Sequence, residues 1–197
     1  MAYLWNEAAL LIIDVQQGFD DARWGRRNNP GAEANIVHLL EIWRTHQWPI
    51  IHVQHRSRFP DSPLHPTKPG YALKSAVQPL PGEHHIIKQV NSAFIGTSLE
   101  AYLRQEHITT LVVTGLTTNH CVETTVRMAG NFGFCTYLVS DATATFDRHG
   151  PDGKLHRAEA VHAMSLANLH EEFAHIVTTA EVQAGVSGQQ IAGDILK

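Results

Sequence analysis

Six short apolar, β-branched runs, separated by longer segments of helical period, restrict the fold more than any other feature of this 197-residue sequence. The runs cover residues 9–15, 50–54, 85–89, 110–114, 135–139 and 175–178. Each is nearly uniform in apolarity, as strands covered on both faces are. Between them, residues 32–46, 98–106, 119–132 and 155–169 place apolar side chains three and four apart, the period of helices packed on a layer. This alternation predicts one α/β domain in three α/β/α layers, with a doubly wound, six-stranded parallel sheet and right-handed crossovers. The domain is expected over residues 1–184, with a weakly patterned tail at 185–197 that is mobile or packs on a neighbouring subunit. Residues 56–82 hold Pro60, Pro63, Pro66, Pro69, Pro79 and Pro81 and predict a long structured loop of the kind that carries function. Gly130 and Gly133 flank the end of the third helix, where a left-handed cap is often needed.

Composition narrows the function classes. With 43% hydrophobic and 17% charged residues, the chain is neither disordered, coiled coil nor collagen-like. Fifteen basic and nineteen acidic residues give a formal charge of -4 with no block of one sign, so neither nucleic acid nor an anionic membrane is an expected partner. No apolar run reaches the ~18 residues of a membrane span, and no basic segment precedes an apolar one as in a secretion signal. Two cysteines, Cys121 and Cys135, make no disulfide framework, so a cytoplasmic location is expected. The glycine patterns of dinucleotide and triphosphate sites and the G-x-S-x-G elbow of serine hydrolases are all missing from the sequence.

Ligands of an open parallel sheet bind beyond the carboxyl ends of its strands, and three reactive side chains fall there. Residues 10–13 deliver Asp14, a carboxylate that suits either a loop-bonding role or a partly desolvated site steadied by a cation. Ile86 and Ile87 deliver Lys88, an edge lysine if alone, but a natural partner for Asp14. After the fourth strand, Gly115 permits a sharp turn and Thr117, Thr118 or Asn119 can cap the next helix. Cys121 then falls in the first helical turn, where the helix dipole and free N–H groups favour a thiolate and could hold an oxyanion. Cys135, inside an apolar run, reads as buried and inert. His120 points about 100° away from Cys121 on a helix and makes a poor base for it.

The segments Leu11-Ile12-Ile13-Asp14-Val15-Gln16, Ile87-Lys88, Ser92-Ala93-Phe94-Ile95-Gly96-Thr97-Ser98-Leu99 and Gly115-Leu116-Thr117-Thr118-Asn119-His120-Cys121-Val122-Glu123-Thr124-Thr125 resemble the isochorismatase-like cysteine hydrolases, as does Ser140-Asp141-Ala142. The resemblance runs over residues 8–180 in the family's order. It implies a catalytic triad of Asp14, Lys88 and Cys121, a cis peptide at Leu116-Thr117, and oxyanion donors at the backbone N–H groups of Thr117 and Cys121. It also implies a homo-oligomer. The implied chemistry is hydrolysis of a C–N bond in a small amide, ureide or carbamoyl compound through a thioester, with water as co-substrate.

Nicotinamidases of this family bind a metal through an Asp-x-His motif and further histidines after the second strand. Here that region reads Ile51-His52-Val53-Gln54-His55-Arg56-Ser57, without the aspartate. His52 and His55 face opposite sides of a strand, so no metal and no cofactor is expected despite fourteen histidines. True isochorismatases cleave a vinyl ether with the aspartate as acid and lack the cysteine. Such an activity, or a non-catalytic binding protein on the same fold, is the alternative. Phe19, Trp24, Gln54, His55, Phe59 and Phe94 are expected to line a pocket whose apolar character suits a small, neutral or weakly polar amide.

Overall fold

The computed structural model describes Trp5 and residues 8–187. Its six-stranded sheet has the order β3-β2-β1-β4-β5-β8 and every neighbouring pair is parallel. The strands are β1 (Ala8–Ile13), β2 (Ile50–His55), β3 (His84–Lys88), β4 (Thr110–Leu116), β5 (Cys135–Ala144) and β8 (His175–Val177). A two-stranded hairpin, β6 (Arg148–His149) and β7 (Leu155–His156), stands apart from the sheet. Helices α1 (Ala32–His46), α2 (Leu99–Gln105), α3 (Glu123–Asn131), α4 (Ala158–Leu169) and α5 (Thr179–Val186) cover it.

Side chains of β1 alternate between two cores, as the period of a strand requires. Ala9, Leu11 and Ile13 join Leu99, Leu103, Val126 and Ala129 on the α2 and α3 side. Leu10 and Ile12 join Ile36, Leu39, Trp43 and Val182 on the α1 and α5 side. All six β1 residues are buried, so the strand is apolar throughout because both faces are covered. The chain winds from β1 toward β3 and then returns to the other side of β1 with β4. This reversal opens a crevice at the carboxyl ends of β1 and β4.

Four expectations need revision. Strand β3 is half exposed at His85 and Ile87, because it is the edge of the sheet. Helix α4 starts at Ala158, since Leu155 and His156 pair with the strand Arg148–His149. Helix α5 reaches Val186, beyond the expected domain edge at residue 184, and a capping box between Thr178 and Glu181 starts it. Residues 188–197 of the expected tail lie outside the described residues. Cys135 is exposed, because it opens β5 at the solvent end of the sheet. Gly133 takes the left-handed conformation after α3, while Gly130 stays inside the helix against Phe173.

Gly115 lies at φ 118°, and a Cβ there would stand 2.0 Å from the carbonyl oxygen of Ile13. Only a residue without a side chain lets β4 approach β1 this closely. Gly115→Ala is expected to cost at least about 4 kcal/mol, a fall of roughly 8–16 °C in the thermal midpoint. A midpoint within about 2 °C of the native chain would refute that account.

Candidate active site

Asp14 follows the last residue of β1, with φ 53°, and is fully buried. Its N–H donates to the Val53 carbonyl at 2.8 Å. Gln16 fastens this end of β1 to β2: its side chain accepts from His55 N–H at 2.9 Å and donates to the carbonyls of His55 and Tyr71. Lys88, the last residue of β3, is 1% exposed. Its Nζ donates to Asp14 Oδ2 at 2.6 Å and to His55 Nδ1 at 3.2 Å.

Burial alone would lower the pKa of Lys88, but Asp14 and then Cys121 outweigh it and hold the ammonium above its ordinary value. Burial and then the Lys88 charge hold His55 below its ordinary value, so its ring is neutral at pH 7. That ring also bonds the Val90 carbonyl, which leaves Nδ1 as the acceptor for Lys88. One carboxylate oxygen of Asp14, one ring nitrogen of His55 and Cys121 Sγ lie within 4.8 Å of one another. Asp14 Oδ1, the oxygen not bonded to Lys88, is buried without a hydrogen-bond partner at ordinary distance.

Cys121 sits in a π-helical turn, Thr118–Val122, ahead of α3. The turn is tied down from outside: Thr118 Oγ1 pairs with His162 Nδ1 at 2.9 Å, and Asn119 Oδ1 accepts from Thr145. The Leu116-Thr117 peptide is cis, and no side chain caps the turn. The thiolate expected from the helix start is not favoured here. Burial, and then the Asp14 carboxylate, push the Cys121 thiol up to about 12, with Lys88 opposing them. The resting site therefore holds an ammonium at Lys88 and a thiol at Cys121. Peptide mapping after iodoacetamide should find exposed Cys135 labelled at pH 8, a mild alkaline condition chosen at roughly the pKa of a free thiol. Cys121 labelling should still be rising at the highest pH the fold survives. Labelling of Cys121 ahead of Cys135 at neutral pH would contradict this charge state.

Beside the thiol lies a pocket of about 160 Å³, whose lining includes Thr117, Cys121 and His55. Part of the lining is aromatic: Trp24 packs against Phe19 and Phe146 at centroid distances of 5.4 and 5.6 Å. Of the side chains expected from sequence, Phe19, Trp24 and His55 line this pocket. Gln54, Phe59 and Phe94 do not. Gln54 donates to the Tyr71 carbonyl and anchors the long loop. Phe59 is 74% exposed, and Phe94 packs in the core against Phe132 and Phe134. Phe146, His120 and Arg148 line the pocket but were not expected from sequence. Past residue 139 the sequence turns polar, as Ser140-Asp141-Ala142-Thr143-Ala144, so no apolar run signals that β5 continues to Ala144 and leads into Phe146 and Arg148.

A model of the isochorismatase domain matches residues 8–181. The chain belongs to the isochorismatase family. An uncharacterized isochorismatase family protein of Bacillus subtilis, YrdC, is 52% identical over 174 residues, 88% of this chain and 93% of that protein. Nicotinamidase 3 of Arabidopsis thaliana is 27% identical and spans 92% of this chain and 89% of its own. The crystal structure of a hydrolase of the isochorismatase family from Chromobacterium violaceum superimposes with a TM-score of 0.91 at 46% identity, covering 95% of this chain and 97% of that one. The family is hydrolytic, and relatives bearing amidohydrolase names act on C–N bonds.

In this isochorismatase-family chain, His52 and His55 serve different networks. His52 Nε2 bonds Glu83 at 2.7 Å, on the side of the strand away from Lys88. Among the described residues, Asp14, His55 and Cys121 are the one group whose donor atoms converge closely enough for a metal ion. The Lys88 ammonium already bonds two of the three. These residues suit a fixed cation from the protein better than a metal, which Lys88 would repel. No helix among the described residues is long and apolar enough to cross a membrane.

Proposed function

We propose that this isochorismatase-family protein hydrolyses a C–N bond of a small amide, ureide or carbamoyl compound, with Cys121 as nucleophile. One observation carries the reading: a buried carboxylate that pairs one oxygen with Lys88 and has no hydrogen-bond partner for the other lies within 4.8 Å of a protonated thiol. In this reading the Asp14 carboxylate takes the thiol proton as sulfur attacks the carbonyl carbon. The new C–S bond pushes the carbonyl electrons onto oxygen, where the backbone N–H groups of Thr117 and Cys121 are the proposed donors. On collapse the C–N bond breaks and Asp14 gives its proton to the leaving nitrogen. Water then attacks the thioester, with Asp14 taking its proton. The C–S bond breaks, the acid departs, and the proton returns to sulfur.

Lys88 pairs with the Asp14 carboxylate in a fully buried site and offsets the negative charge as it passes from carboxylate to sulfur. His55, neutral and bonded to both Lys88 and the Val90 carbonyl, orients the ammonium. The 160 Å³ pocket lies below the ~300–1,000 Å³ of sites for drug-sized ligands, which favours a compound of few heavy atoms. The test is ammonia release by the purified full chain over a panel of small primary amides, ureides and carbamoyl compounds. Release from a member of the panel is the expected result. Release from none would overturn the reading.

A further inference from the structure

Of the ten arginines in the chain, seven pair with a carboxylate. The other three, Arg56, Arg58 and Arg148, have no acidic partner among the described residues. Arg148 lines the active-site pocket. Arg56 and Arg58 instead share a second pocket, of about 430 Å³, with Ser57, His65, Thr67 and Gln89. Its lining contains no carboxylate and shares no residue with the pocket beside Cys121.

The groups around the two guanidinium ions add donors rather than acceptors. Ser57 is 6% exposed. Its Oγ accepts from the Phe59 N–H at 3.2 Å, so the hydroxyl hydrogen remains to be given to a ligand. His65 Nδ1 accepts from the Thr67 N–H at 3.3 Å and lies 2.8 Å from Thr67 Oγ1. A ring nitrogen that accepts in this way leaves the ring hydrogen on Nε2. The backbone beneath is fixed as well. The Arg56 N–H donates to the Lys88 carbonyl at 2.8 Å, and the Ser57 N–H donates to the Leu64 carbonyl at 3.1 Å, which ties this start of the long loop to β3 on one side and to the loop's own return on the other.

We infer that this second pocket is a binding site for a phosphate dianion, free or carried by a small phosphomonoester, held between Arg56 and Arg58. Two like charges in one pocket repel each other until an anion enters. A phosphate dianion cancels both, and its oxygens accept two parallel hydrogen bonds from a guanidinium while others remain for the Ser57 hydroxyl and His65 Nε2. A carboxylate brings one charge and two oxygens, which leaves one arginine uncompensated. The site stands apart from the hydrolase reading and does not depend on it.

The experiment is calorimetric titration of the full-length chain with inorganic phosphate, methyl phosphate and acetate at constant ionic strength. A pH of about 8 lies well above the second pKa of a phosphomonoester, roughly 6. Both phosphates should bind and acetate should bind more weakly. Arg56→Gln and Arg58→Gln should each weaken phosphate binding about 10-fold or more, the scale of a charge-assisted hydrogen bond, and Arg58→Lys should lose only part of that. Both arginines are exposed, so a thermal melt of each variant should match the native chain, which separates lost binding from lost folding. Arg148→Gln should leave phosphate affinity unchanged. Tighter binding of methyl phosphate would assign the site to a phosphomonoester, and equal or tighter binding of inorganic phosphate would assign it to the free ion. No binding of either phosphate at about 10 mM, roughly ten times a 1 mM Kd, would overturn the inference. So would acetate binding as tightly as phosphate, or phosphate binding that is lost with Arg148→Gln and survives both Arg56→Gln and Arg58→Gln.

Discussion

Cys121→Ala should lower amide turnover by at least ~10³-fold, as loss of a covalent nucleophile does, and leave the thermal midpoint within about 4 °C of the native chain. The two parts follow from different features of the site. Turnover needs an atom that attacks and later leaves, and alanine offers none. Stability is spared because the π-helical turn is held by the Thr118–His162 and Asn119–Thr145 bonds, neither of which involves sulfur. Cys121→Ser should be nearly as inactive. A hydroxyl gives up its proton less readily than a thiol, and Asp14 is a weak base for it. Steady-state ammonia release and a thermal melt check both variants together. Retention of a tenth of native turnover by either, far above the ~10³-fold loss, would remove Cys121 from the nucleophile's place.

Lys88→Met should destabilise the fold by about 3–5 kcal/mol, a fall of roughly 6–20 °C in the thermal midpoint. The reason is what the change leaves behind. Asp14 and Lys88 are both 0% exposed at the side chain and 2.6 Å apart, so removing the ammonium strands a carboxylate with no cation. Burial then favours the neutral carboxyl. The folded variant binds a proton that the unfolded chain has released, and its stability should fall as pH rises above the unfolded carboxylate range near ~4. Adding Asp14→Leu should recover most of the lost stability, because a buried ion pair replaced by apolar groups of similar volume is often neutral. Urea titrations of the two single variants and the double variant close the cycle. A Lys88→Met chain within about 1 kcal/mol of native would show that the pair is better solvated than its burial indicates.

The position of Asp14, Lys88 and Cys121 at strand ends was legible because each terminates, or closely follows, a short apolar run of strand length; covered faces explain the runs before Asp14 and Cys121, whereas the run before Lys88 belongs to a half-exposed edge strand. Residues 32–46 were legible as a helix for a related reason: Ile36, Leu39, Leu40 and Trp43 all turn to one core. The hairpin and α5 were less so. Leu155 continues the helical period of the residues after it, and only pairing with Arg148–His149 takes it out of the helix. Phe59 and Phe94 are aromatic and lie near the right loops, but sequence distance carries no information on which way a loop side chain turns.

Local order along the chain was sufficient for the layers, the parallel sheet and the three reactive groups, since strand and helix periods are properties of consecutive residues. The charge state of the site was not. Asp14 and Lys88 are 74 positions apart, and the Cys121 proton is held by burial together with those two charges. A thiol at a helix start is expected to ionise in water. The same thiol enclosed beside a carboxylate keeps its proton, because the field that decides is set by distances through space and by excluded water, and only the folded chain has either.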